Sequence, residues 1–332
     1  MADITQNTRV AVLGAGAWGT ALALLLATAG AAVTLWSRRP EHARQVQTDR
    51  ENRDYLPGVI LPENLGVTFR PAEAVRNTEL AVVALPSKAL VETLAVFPKA
   101  PAYLSATKGL HFVEHGLLRM SQEIAKLSGV KRVAAISGPN HAEEVGRFLP
   151  AAAVVASEDE SLAVWVQQLF SGPSFRVYSS SDLAGVELGG ALKNVIALAA
   201  GMVDGLGLGD NTKAALITRG LREIVRFGVA MGGQEATFYG LSGLGDLVGT
   251  ATSKLSRNRE AGERLVRGAT LAGLEAQKQV VEGIYTVKAV HQWAEEQGQD
   301  LPITRAVYQV VHQGESPLKA VSSLMERESK PE

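Results

Sequence analysis

Between Arg9 and Arg38 the chain carries no charged residue, and inside that stretch Gly14, Gly16 and Gly19 stand in the spacing G-x-G-x-x-G. The run VAVL precedes them, TALALLLATAG follows, and AVTLW comes next. The stretch is long enough to cross a bilayer as one helix. Its pattern instead divides it into a β-branched strand, a glycine turn, a helix ending at Gly30 and a second strand. Each glycine then has a separate physical reason. The first permits a tight turn, the second lets a pyrophosphate approach the backbone, and the third lets helix pack closely on strand. The helix start adds unpaired N–H groups and a positive dipole end. A glycine-rich structural turn would show the same three letters. The order strand, glycines, helix, strand is what favours a dinucleotide site.

The same alternation continues through the first half. Strands are expected at Arg9–Leu13, Ala32–Trp36, Val67–Phe69, Leu80–Ala84, Ala102–Ser105 and Val133–Ser137, with Ala151–Ala156 and Phe175–Tyr178 extending the sheet. Helical segments between most of them imply a mostly parallel, doubly wound α/β sheet covered on both faces. The segment Asn52–Leu65, with Pro57, Gly58 and Pro62, reads as a loop. From about Ser181 the pattern turns helical, at Val186–Met202, Thr212–Met231, Leu255–Gly268, Thr286–Gln297 and Ile303–His312. This gives a dinucleotide-binding domain over 1–180 and a mainly α-helical domain over 181–332. The final ERESKPE is expected to fray.

A length of 332 residues fits two domains, and 46% apolar content allows a sizeable core. A net charge of -1 gives no global field for nucleic acid or an anionic membrane, so an anionic small molecule must be held by a few local groups. The chain has no cysteine, which excludes disulfides and thiolate chemistry and fits a reducing, cytoplasmic setting. The six histidines lack ligand spacing, and no metal site is expected. MADITQNTRV is polar, without the apolar core of a signal peptide.

The second strand ends in LWSRRPEH. An NAD-selective site usually has an acid there for the ribose 2′-hydroxyl, whereas Arg38 and Arg39 suit a 2′-phosphate. NADP(H) is therefore favoured with NAD(H) still possible, the plain alternative being two solvated arginines. Three further segments carry polar groups in unusual settings. Lys108, in SATKGL, follows an apolar strand at the end where ligands of such sheets collect, although loop lysines are often only surface residues. Lys193 and Asn194 interrupt ELGGALKNVIALAAGM, which is apolar almost all round and should be buried. A buried lysine needs a partner or a salt bridge. Gly189, Gly190 and Ala197 strip bulk from the face around it, leaving room for a ligand. In LSGLGDLVGTATSKLSRNRE, glycines flank Asp246 in what reads as a flexible turn whose carboxylate could pair with Lys193. Ser256, Arg257 and Asn258 combine a cation with neutral donors, a set suited to phosphate or to an ordinary helix start.

Taken together, VAVLGAGAWGTALA, SATKGL, ISGPNHAEE, ELGGALKNVIALAAGM, LSGLGDLVGTATSKLSRNR and QVVEG resemble, in order and from about residue 9 to 320, the bacterial-type glycerol-3-phosphate dehydrogenase [NAD(P)+] family. The resemblance implies a Rossmann-type domain followed by a helical one with the site between them. It also implies reversible reduction of dihydroxyacetone phosphate to sn-glycerol 3-phosphate, supplying phospholipid synthesis, in the cytoplasm. No membrane span is expected, and a homodimer is the assembly it suggests. By matched position it implies Lys193 as the catalytic lysine, held by Asp246. Lys108 would touch both substrate and cofactor. Gly138, Asn140, Lys193, Asn194, Asp246, Ser256, Arg257 and Asn258 would be substrate contacts. Gly14, Gly16, Ala17, Trp18, Gly19, Arg38, Arg39, Ala142, Arg257, Val280 and Glu282 would be cofactor contacts. Ala17 departs from a frequent serine, and Asn140 and His141 from a small hydroxyl residue and phenylalanine. The nearest rivals are other two-domain lysine-dependent dehydrogenases, of the 3-hydroxyacid or 6-phosphogluconate type, against which GLGDL and SRNR speak. A catalytically silent dinucleotide sensor would keep the glycines without requiring Lys193 and Asp246.

Overall fold

The computed structural model describes residues 8–114, 116–276, 280–326 and 328. The polar N-terminal reading falls largely outside them, and the fraying tail partly so. Eight strands form the main sheet: β1 (Arg9–Leu13), β2 (Ala32–Trp36), β3 (Leu65–Thr68), β4 (Leu80–Val83), β5 (Tyr103–Ser105), β6 (Val133–Ser137), β7 (Ala151–Ser157) and β8 (Phe175–Ser180). Their order is β8-β7-β6-β5-β4-β1-β2-β3. Pairing is parallel from β3 across to β6, with Val10 opposite both Val33 and Leu80. β7 then runs antiparallel to β6, and β8 parallel to β7. Val10, Ala11, Val12 and Leu13 are all buried, as a strand covered on both faces requires. Strand order reverses between β1 and β4, and the carboxyl ends there open the crevice in which such sheets bind ligands.

Two small hairpins depart from the expectations. The segment expected to be a loop pairs Glu51–Asn52 with Leu56–Ile60, and the third strand starts earlier than expected, at Leu65. The turn is held by the Gly58 amide, which donates to Glu51 Oε1 at 2.8 Å, while Asn52 is wholly buried. A second hairpin, Leu110–Val113 with Gly116–Arg119, follows β5. Its Leu110 and Leu117 pack into the core of the helical half, so that half is partly built from the first half's sequence.

After β8 the described residues contain no further strand. The central helix, Leu183–Gly205, is capped by Asp182, whose carboxylate accepts the Gly185 amide at 2.9 Å. It is the one helix among the described residues long and apolar enough to cross a membrane, and every residue of its apolar window is buried inside the protein. The apolar stretch Arg9–Arg38, by contrast, is strand, turn, helix (Ala17–Thr28) and strand, as its pattern implies. Around the central helix lie Gly209–Ala230, Arg257–Val266, Glu282–Gln297 and Pro302–Gln313. Close approach depends on missing side chains. A Cβ on Gly201 would lie 1.8 Å from the Arg259 carbonyl oxygen, and one on Gly262 would lie 2.1 Å from that of Leu198. The helix beginning at Arg257 is thereby pressed onto the central helix.

Candidate active site

The glycine turn is built as the spacing demands. Gly14 has φ +121°, and a Cβ there would meet the Ala84 carbonyl oxygen at 2.5 Å. A Cβ on Gly19 would sit 1.9 Å from the Gly14 carbonyl oxygen, so only glycine lets the helix start so close to the strand. Beside Gly16 there is open space within 4 Å. That space belongs to a cleft of about 400 Å³, within the usual range for small-molecule sites. Trp18 Nε1 is buried without a hydrogen-bond partner, a donor that an incoming acceptor would satisfy.

At the inner end of the cleft three charged side chains converge. Lys193 Nζ lies 2.6 Å from Asp246 Oδ1, and Lys108 Nζ lies 2.5 Å from Asp246 Oδ2. Lys193 also donates to Thr250 Oγ1 at 2.5 Å, and Lys108 to the Gly138 carbonyl at 2.9 Å. Lys193 comes from the middle of the central helix and is 7% exposed, while Asp246 is 1% exposed. Burial is the largest influence on Lys193 and pulls its ammonium down to about 8; Asp246 opposes it, and Lys108 reinforces it. For Asp246, burial pushes upward, but the two lysines together outweigh it and hold the carboxyl below its ordinary value. A buried carboxylate this well satisfied stays ionised and fixes both ammonium groups in place.

Asp246 is not on a flexible turn. Leu241–Gly245 form one π-helical turn, and Asp246 opens the helix Asp246–Thr252. Gly243 serves packing, since a Cβ there would strike the Phe238 carbonyl oxygen at 2.0 Å, whereas Cβ atoms on Gly245 and Gly249 would meet only ordinary contacts. The stripped face of the central helix is likewise filled by protein. Gly189 faces the Ser242 carbonyl oxygen, 2.7 Å from where a Cβ would stand, and Gly190 faces Ser137 Oγ at 2.3 Å. The expectation of ligand room against that backbone is therefore corrected: the missing bulk lets the π-helical turn bring Asp246 within reach of Lys193.

Of the residues singled out from sequence, Gly14, Gly16, Ala17, Trp18, Gly19, Arg38, Arg39, Lys108, Asn140, Ala142, Lys193, Asn194, Ser256, Arg257, Asn258, Val280 and Glu282 line this one cleft. Gly138 and Asp246 lie behind the lysines they bind. Several are already engaged. Ser256 caps its helix, accepting the Arg259 amide at 3.2 Å, which leaves its own hydroxyl proton free to be donated. Asn258 Oδ1 accepts the Gly283 amide, and its Nδ2 donates to Asn194 Oδ1, both at 2.9 Å. Arg257 reaches the Val280 carbonyl at 3.3 Å. The Glu282 carboxylate accepts the Ser87 amide at 3.0 Å and the Ser87 hydroxyl at 2.5 Å, and burial pushes its carboxyl upward. Arg39 pairs with Asp54 at 3.0 Å, whereas Arg38 is exposed and has no ion pair among the described residues. His141 also lines the cleft, and its Nε2 lies 3.3 Å from the Gly249 carbonyl oxygen. Sequence reasoning missed Thr250, although it stands four residues after Asp246, one helical turn away. It also missed His42 and Tyr55, which line the outer end together with Ser37 at the close of the second strand. Among the described residues no group of acidic residues and histidines could hold a metal.

Both halves of the chain match known proteins. Residues 9–163 match a family profile described as NAD-dependent glycerol-3-phosphate dehydrogenase N-terminus, and residues 182–322 match the corresponding C-terminus. A glycerol-3-phosphate dehydrogenase [NAD(P)+] of Thermus thermophilus is 61% identical over 98% of this chain and 100% of its own. One from Deinococcus radiodurans is 52% identical over 99% of this chain and 98% of its own. A crystal structure of glycerol-3-phosphate dehydrogenase from Coxiella burnetii superposes with a TM-score of 0.91 at 37% identity, covering 97% of this chain and 99% of that one. D-mandelate dehydrogenase, at 13% identity and a TM-score of 0.60, shares the fold alone.

Proposed function

The chain belongs to the NAD-dependent glycerol-3-phosphate dehydrogenase family, and from that premise we propose that its cleft carries out the reversible NAD(P)H-dependent reduction of dihydroxyacetone phosphate to sn-glycerol 3-phosphate. The observation that carries the reading is the buried set Lys193–Asp246–Lys108 at the inner end of a glycine-loop cleft. The open space at Gly16 and the orphaned donor of Trp18 fit a dinucleotide pyrophosphate. When bound, the nicotinamide supplies the hydride.

The chain's own groups do the rest. Lys193 holds the proton that passes to the alkoxide oxygen formed from the ketone, and its ammonium polarises that carbonyl beforehand. An acid brought down to about 8 releases its proton far more readily than an ordinary lysine. Lys108 adds positive charge beside the same oxygen. Asp246 touches neither reacting atom; it aims both lysines. Arg257, with the free protons of Ser256 and Asn258, anchors the phosphate and converts remote binding energy into orientation of the ketone. Arg38 favours a 2′-phosphate while leaving NAD(H) usable. The product enters phospholipid synthesis. The domain reading of 1–180 and 181–332, a homodimer and a cytoplasmic location accompany this proposal, and sedimentation velocity checks the assembly.

The test is oxidation of NADPH and NADH against dihydroxyacetone phosphate and unphosphorylated dihydroxyacetone. The phosphorylated ketone is expected to have kcat/KM at least about a hundredfold higher, because the anchor's binding energy is spent on orientation. Comparable values for the two would remove the phosphate anchor, and no turnover with either would remove the function.

A further inference from the structure

Beneath the outer end of the cleft, Ser37, His42 and Asn52 form a buried hydrogen-bond chain that reaches the glycine turn. Ser37 Oγ lies 2.8 Å from His42 Nδ1, and His42 Nε2 lies 3.0 Å from Asn52 Oδ1. Asn52 Nδ2 lies 3.0 Å from the Ala15 carbonyl oxygen and 2.8 Å from Thr20 Oγ1. Thr20 Oγ1 in turn lies 2.8 Å from the Gly16 carbonyl oxygen. His42 is 3% exposed and Asn52 is fully buried, and the Tyr55 ring meets the imidazole edge-on, with centroids 5.4 Å apart.

The protons from Gly16 to His42 Nε2 are assigned from the far end of this chain. The carbonyl oxygens of Ala15 and Gly16 only accept. Thr20 therefore spends its one proton on Gly16 and accepts from Asn52. The Asn52 amide nitrogen faces two acceptors and uses both of its protons, so Oδ1 is the atom turned to His42. That oxygen accepts, which puts the ring proton on Nε2. In the neutral imidazole Nδ1 then carries a lone pair, and the Ser37 hydroxyl must donate to it. With its proton committed inward, Ser37 offers only lone pairs to the cleft that it lines.

We infer that this relay makes Ser37 an acceptor and so a specificity-determining contact for the unphosphorylated ribose of the dinucleotide, with His42 and Asn52 as positioning residues. The inference rests on reading the glycine-loop cleft as a dinucleotide site. The end of the second strand is where such sites meet the adenosine ribose. A 2′-hydroxyl has a proton to donate to Ser37. A 2′-phosphate brings more acceptor oxygens and meets lone pairs. Arg38, the next residue, has the opposite preference: its exposed guanidinium has no ion pair among the described residues and suits a phosphate. Neighbouring residues thus serve opposite forms of one ligand, which suits a site that takes both NADH and NADPH.

The measurement is the Kd of NADH and of NADPH, by nicotinamide fluorescence titration, on the full-length protein and on Ser37→Ala, Ser37→Thr and His42→Phe. Ser37→Ala is expected to weaken NADH about three- to tenfold, the usual worth of one hydrogen bond, and to leave NADPH within about twofold. Ser37→Thr keeps a hydroxyl and should keep the wild-type ratio. His42→Phe frees the Ser37 proton to turn into the cleft and should move the ratio toward NADPH by a similar factor. Should that variant not fold, the Ala and Thr substitutions decide the matter alone. A Ser37→Ala protein with both affinities unchanged, or both reduced equally, overturns the relay's role in specificity while leaving the cleft's assignment intact. A wild-type protein that binds neither dinucleotide overturns the assignment together with the inference.

Discussion

Lys193 sits where a lysine is least comfortable, at the middle of a helix with no exposed face, and its fixed partner is a carboxylate shared with a second lysine. Lys193→Met preserves stem length and suits the apolar surroundings. Turnover should fall at least about a hundredfold, the lower end for loss of a positioned acid, with dinucleotide affinity unchanged. Near-normal kcat in that folded variant would make the lysine structural. Asp246→Asn should also lose activity, and the double variant should fall far short of the sum of the two losses, because one unit has been broken twice. The ammonium form is the one that donates, so kcat/KM for ketone reduction should decline as pH rises through about 8, while glycerophosphate oxidation gains over the same range. A flat reductive profile across that range would argue against Lys193 as the acid. The pairing of Lys193 with Asp246 was legible in the sequence because a cation in an apolar helix requires a counter-charge. Lys108 as co-owner of that carboxylate was not. It lies 138 residues from Asp246 along the chain, and no spacing or period encodes such a meeting.

Elements with a strong period or a fingerprint were readable, and those defined by contact were not. Sheet strands and long helices fall close to where alternation and apolar periodicity put them. The π-helical turn Leu241–Gly245 reads in sequence as a loose glycine loop, because the reason for Gly243 is the backbone of Phe238. The hairpin Glu51–Ile60 hides behind Pro57, and its anchor, Asn52, is a polar residue buried for the sake of hydrogen bonds elsewhere. A similar unannounced anchor is Glu223. From the helix Gly209–Ala230 it accepts the Ile303 amide at 2.6 Å and the Thr304 amide and hydroxyl at 3.1 Å, capping the helix Pro302–Gln313 from outside. Glu223→Ala orphans those buried donors and should cost roughly 1–3 kcal/mol, whereas Glu223→Gln, which keeps an acceptor, should cost less. Thermal melts of the two variants check this; equal, negligible losses would mean water replaces the cap.

At the scale of the molecule, the sheet and the core of the helical half meet along the central helix. Leu183 and Val186 at its start pack with Ala135 and Ala156 of the sheet, and the rest of the helix fills the second core. The hairpin Leu110–Arg119 crosses the other way, and Arg119 pairs with Glu187 at 2.7 Å. A helix without an exposed face cannot stand alone once either side is removed, so the halves should unfold together. Scanning calorimetry should show one transition; two resolved transitions, the first sparing the sheet's absorbance or dichroism signature, would show that the seam is weaker than its burial implies. The sequence disclosed two halves through the change from alternating to helical pattern, but not this stitching, which depends on side chains far apart in the chain. Lys108 belongs to the sheet half and Lys193 and Asp246 to the helical half, and the bond from Lys108 to Asp246 spans the join. The architecture is thus modular but the chemistry is not interchangeable. A sheet half transplanted from another dehydrogenase would bring its own glycine turn and could still bind a dinucleotide, yet Asp246 would be left clamping a single ammonium. In such a hybrid, affinity for the cofactor and competence for turnover would part company.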